Sequence, residues 1–144
     1  MLAATQAGIA FSNASVTLIH GMSRPIGARF HVPHGMSNAI LLPGITEYSL
    51  DGASERYATA ARAIGFAGSH DSDTRACALL VDGLHELTRE LSVPALSELG
   101  ISKSDFLAAA PVMAEQALAS GSPDNNPVIP SLDECERLYE QVYA

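Results

Sequence analysis

Nowhere in these 144 residues does hydrophobicity alternate with a period of two over the length of a strand, while apolar residues recur at three- and four-residue spacing. A half-buried strand must alternate because successive side chains point to opposite faces. A helix buries a single stripe at a period of 3.6. The clearest stripe is Leu80, Leu84, Leu87 and Leu91 within Thr74–Leu91, with Glu86, Arg89 and Glu90 off it. The chain is 47% hydrophobic but only 6% aromatic, and Ala and Leu, both good helix formers, supply most of that apolar content. The expectation is an all-α fold: one helical bundle over residues 1–144, long enough to bury roughly 68–70% of its unfolded surface.

Prolines, glycines and capping residues divide the pattern. The opening MLAATQAGIAF reads as helix from its second residue, with no Ser, Thr, Asp or Asn to cap it. That abrupt start predicts a chain that begins mid-fold, with an N-terminal partner domain absent; processing of an ordinary small domain is the alternative. A second helix should run from Asn13 or Ala14 to Arg24, kinked or ended by Pro25. Arg29 to Pro33 should cross to a helix from His34 to about Leu42, closed by Pro43-Gly44. Ser54–Ile64 follows with Gly65 as its C-terminal cap, then a loop over 68–73 and the helix Thr74–Leu91. Pro94 to Leu99 reads as a short turn ended by Gly100. Ser102 with Asp105 starts a helix to Ala119 that Pro111 should kink or break. After a Pro/Asn-rich loop over 121–130, the S-x-x-E box of Ser131 and Glu134 opens a last helix ending near Tyr143.

Charge narrows the partners. A formal net charge of −8, with only 8 Lys and Arg and no basic cluster, argues against nucleic acid and anionic membrane. No apolar run approaches the roughly 20 residues that span a bilayer, and the N-terminus lacks the positive region of a secretory signal. Cys77 and Cys135 are too few and too far apart for a disulfide framework, which fits a reducing cytoplasm and two buried thiols.

No G-x-S-x-G elbow, glycine-rich phosphate loop or nucleotide site is present. What remains is the pair His20 and His34. On one unbroken helix they would lie about 21 Å apart at 1.5 Å per residue, whereas two ligands of one ion sit within about 4 Å of each other. A shared metal therefore requires the chain to fold back, and Pro25, Gly27 and Pro33 stand between them. Spacing alone favours a satisfied core histidine at 20 and a helix-start residue at 34 over a shared metal. His31 is a poor co-ligand, because Pro33 keeps its segment extended and side chains three apart then face opposite ways. His70 belongs to the acidic loop and His85 lies beside the leucine stripe; both read as ordinary surface residues.

Phe11-Ser-Asn-Ala14, His20-Gly-Met-Ser-Arg-Pro-Ile-Gly27, Pro33-His-Gly35 and Asn38-Ala-Ile-Leu-Leu-Pro43 together resemble the iron-containing (group III) alcohol dehydrogenase signature, and Asn126-Pro127 with Leu138-Tyr139 resembles that family's closing segment. The resemblance covers essentially the whole chain, as the family's C-terminal helical domain alone, of the dehydroquinate-synthase-like type. It implies that His20 and His34 are the two later metal ligands, joined in the family by an Asp and a His from an upstream helix around Fe(II) or Zn(II). It implies that Phe11 lines the substrate and nicotinamide pocket. Arg24 departs from the family's frequent second histidine; a permanent cation there suits an acidic or hydroxy-acid substrate. The nucleotide-binding domain that would take NAD(P) is missing, so the isolated chain is expected to hold metal weakly or not at all and to be inactive. The expected partners are a second copy of the chain or the missing nucleotide-binding half. A non-catalytic helical interaction module and a small free-standing metal-binding protein are the competing readings.

Overall fold

The computed structural model describes residues 1–143, and among them every regular element is helical. Six α-helices follow in order: α1 (Leu2–Ala14), α2 (Leu18–Phe30), α3 (His34–Ala63), α4 (Asp73–Glu90), α5 (Lys103–Ala119) and α6 (Leu132–Tyr143). A short 3₁₀ turn, Ser122–Asn125, links α5 to α6. No single helix among the described residues is long and apolar enough to cross a membrane, and the apolar pair α1–α2 is bent by 108° at its break.

Two apolar clusters share α3. The larger gathers Leu18, Met22 and Ile26 of α2, Leu41 and Ile45 of α3, Phe106 and Met113 of α5, and Cys135, Leu138 and Tyr139 of α6. The smaller joins Ala58 and Ala61 of α3 to Ala76, Cys77 and Leu80 of α4. Between them α3 bends at Ala53, whose φ of −157° and ψ of 41° are not helical. Gly52, just before the bend, meets the Pro127 backbone so closely that a Cβ there would run into it. Asn126, beside that contact, donates from Nδ2 to the Ser49 hydroxyl (2.9 Å) and to the Val128 carbonyl (2.7 Å).

Three prolines lie inside helices rather than ending them: Pro25, Pro43 and Pro111. The expected stops at Arg24 and Leu42 are therefore corrected to Phe30 and Ala63. A helical proline costs roughly 3 kcal/mol, but each of these is flanked by core side chains, Leu18, Met22 and Ile26 around Pro25 and Leu41 and Ile45 around Pro43. Burying an aliphatic side chain of that size contributes about 1.5–3 kcal/mol, so two or three outweigh one missing bond.

The caps were legible. Ser102 Oγ accepts from Asp105 N at 3.1 Å, and Glu134 Oε2 accepts from Ser131 N at 2.8 Å in a complete capping box. Gly65 takes the left-handed conformation after α3 (φ 84°). The leucine stripe of α4 is only half used: Leu80 is buried and Leu84 partly so, but Leu87 and Leu91 are 39% and 69% exposed. Nor does any other helix pack on α1, which buries no residue.

Candidate metal centre

A reversal between α2 and α3 brings the two histidines together. From Ser23 to the end of α2 at Phe30 the chain climbs about 10 Å at 1.5 Å per residue. The link His31–Pro33 then turns the chain back, so that His34, the first residue of α3, comes to lie beside Ser23. His31 makes the turn in the left-handed conformation (φ 57°, ψ 26°), its backbone N–H donating to the Gly27 carbonyl at 3.0 Å. Gly27 permits the close return, because a Cβ there would lie 3.2 Å from the Val32 carbonyl oxygen. Buried Val32 pins the link to the core. Folding back was expected of Pro25, Gly27 and Pro33; Gly27 and Pro33 take part, while Pro25 stays within α2.

The His20 and His34 rings stand edge to face, with centroids 5.1 Å apart and planes at 62°. Two bonds of about 2.1 Å hold ligand nitrogens no more than about 4 Å apart, and rings this close are compatible with a shared ion. Both ring nitrogens of His34 have hydrogen-bonding neighbours: Nδ1 lies 3.3 Å from Ser23 Oγ, and Nε2 lies 3.2 Å from the Asn38 side-chain amide. The direction of each bond follows the tautomer of the ring, and a metal ion requires a lone pair on the nitrogen that it takes. Burial, the neighbouring His34 and Arg24 together push the His20 imidazole below its usual pKa, favouring the neutral, ligating form. The two neighbouring imidazoles fit a divalent metal ion as two of its ligands. Among the described residues no group of three or more His, Cys, Asp or Glu side chains is placed to hold an ion alone.

Phe11 and His20 line one cleft of about 320 Å³ with Ile19, Asn38 and Leu42. Arg24 is exposed on α2 and lies outside that lining. His31, His70 and His85 are exposed, and His85 faces a separate, larger groove between α3, α4 and α6. Ser23 and Asn38 were not singled out as site residues in the sequence, although each lies one helical turn beyond a ligand candidate, at i+3 from His20 and i+4 from His34. That spacing was the available signal.

Comparison with known proteins is consistent along the whole chain. A model of the Fe-containing alcohol dehydrogenase family, C-terminal part, matches residues 1–143. The chain is 38% identical over 143 residues to an alcohol dehydrogenase of Thermococcus barophilus, covering 98% of this chain and 35% of that protein. It is 36% identical over 142 residues to the NADPH-dependent butanol dehydrogenase of Clostridium saccharobutylicum, with 95% and 35% covered. Among solved structures, a 1,3-propanediol oxidoreductase superposes with a TM-score of 0.86 at 30% identity over 94% of this chain and 35% of its own. The iron-containing alcohol dehydrogenase of Thermococcus thioreducens does so with a TM-score of 0.84 at 34% identity, over 99% and 35%. The chain thus spans about a third of the length of the relatives it matches.

Proposed function

The chain belongs to the iron-containing alcohol dehydrogenase family, matching its C-terminal helical part, and from that premise we propose that it supplies half the metal site of an iron-dependent, NAD(P)-linked oxidoreductase acting on an alcohol, an aldehyde or a hydroxy acid. The observation that carries the reading is the convergence of His20 and His34, 14 positions apart in sequence, to a ring separation of 5.1 Å. Both would ligate Fe(II), with Zn(II) as the alternative, beside an Asp and a His from an upstream helix. When bound, such an ion polarises the substrate oxygen as a Lewis acid. The chain's own contribution is to hold the two imidazoles side by side and to line the adjoining cleft with Phe11, Ile19 and Leu42. Arg24, exposed one turn beyond His20, would take an anionic group, which suits an acidic or hydroxy-acid substrate.

On this reading the 144 residues by themselves bind no nicotinamide and turn over no alcohol, because the nucleotide-binding portion and two ligands belong to the part of the relatives that they do not match. Its partner is that portion or a second copy of the chain. Exposed Ile9, Phe11, Leu87 and Leu91 favour association with one or the other, and light scattering that shows a strict monomer at high concentration would count against self-association. The decisive test grafts this chain in place of the matching third of the Clostridium saccharobutylicum butanol dehydrogenase. NADPH-linked butanol oxidation that requires iron and is lost in both His20→Ala and His34→Ala is the expected result. A folded graft that keeps its activity after both substitutions would overturn the assignment.

A further inference from the structure

We infer that Ser23 is a positioning residue for the metal site: it fixes which nitrogen of His34 carries the proton and so holds the Nε2 lone pair toward the site. The inference rests on the metal-holding reading above but stands on a separate set of bonds. Ser23 is fully buried, and its hydroxyl has one proton to give. It gives it to the His20 backbone carbonyl at 3.1 Å, an atom that only accepts. At the 3.3 Å contact with His34 Nδ1, Ser23 Oγ is therefore the acceptor and Nδ1–H the donor. A neutral imidazole has a single N–H, so Nε2 is left bare. On the other side of the ring the Asn38 amide lies 3.2 Å from Nε2; a half-turn exchanges its oxygen and nitrogen, so this contact follows the tautomer of the ring and does not set it. The Ser23 hydroxyl does set it, because it ties the backbone of one ligand residue to the ring of the other.

The tautomer is read by long-range 1H–15N spectra of the metal-free chain at about pH 8, above the ordinary histidine pKa of about 6.5. Wild type should show His34 as a single Nδ1–H tautomer. Ser23→Ala, nearly isosteric in the core, should admit the Nε2–H form with helix content unchanged, and in the butanol dehydrogenase graft should weaken iron binding about tenfold or more. Ser23→Thr, which keeps the hydroxyl, should restore the tautomer. A wild-type His34 protonated at Nε2, or a Ser23→Ala variant with the tautomer unaltered, would overturn the assignment. A graft that binds iron as tightly after His34→Ala would instead overturn the metal-holding reading. The tautomer comparison, which needs no ion, tells the two failures apart.

Discussion

Phe106→Ala should cost the chain most of the stability that one side chain can carry, and should loosen the turn that seats His34. Phe106 lies in the first turn of α5, fully buried. Its ring meets Phe30 at 5.6 Å, Tyr143 at 5.4 Å and Tyr139 at 6.1 Å between centroids. It therefore joins the end of α2 to both turns of α6 that face it. Truncation returns on the order of 150 Å² of apolar surface to a cavity, about 4 kcal/mol at 25 cal/mol per Å². Measured Phe→Ala losses in cores run about 3–5 kcal/mol. For a domain of this size each kcal/mol moves the melting temperature by about 2–4 °C, so a fall of about 8–16 °C is expected. Urea denaturation followed by circular dichroism measures the free energy, and Phe106→Leu, which keeps most of the volume, should lose less than half as much. Because Phe30 is the last residue of α2, the His31–Pro33 turn should also lose hydrogen-exchange protection before the rest of α3. A loss below about 1.5 kcal/mol would refute the reasoning, since it would mean that the ring contributes less than its burial requires.

Other consequences are equally direct. Glu134, held by the Ser131 backbone and hydroxyl, titrates below the usual carboxylate range. Its stabilising effect should therefore be complete above about pH 4.5 and fade as the pH falls through its lowered value. Ser131→Ala, which removes the hydroxyl but keeps the larger backbone bond, should shrink that part of the stability profile measured by acid titration. Burial pushes the Cys135 thiol up to about 12 and raises Cys77 as well; neither should be alkylated by iodoacetamide in the native chain, and rapid labelling of Cys135 at neutral pH would contradict its packing. Gly52→Ala should destabilise by about 1–3 kcal/mol, as overpacking does, because the new Cβ meets the rigid Pro127 backbone; unchanged thermal stability would show that this loop yields freely.

Local chemistry was legible because it is written in short spacings. Ser131 with Glu134, Ser102 with Asp105, and Gly65 all cap as their positions implied. The all-helical class followed from periodicity in the same way. The prolines misled because their cost is local while the compensation is not: nothing near Pro25 in sequence discloses that Met22 and Ile26 would meet α5 and α6. Leu87 and Leu91 share a period with Leu80 but not its burial, since α4 packs against α3 alone among the helices. The His20–His34 approach was conceivable from the intervening breakers. Its hydrogen-bond polarity was not, because that depends on where a buried serine and an asparagine one turn away come to lie.

The bend at Ala53 divides α3 between the two apolar clusters, but Leu50, ahead of the bend, still packs on the α4 side. Since α4 touches no other helix, a defect introduced there reaches the imidazoles through α3 itself or through the segment that follows, whose Leu96 sits in the larger cluster. An engineer fitting that arm to a new neighbour would therefore work on outward positions such as Leu87 and Leu91 and leave those two links intact.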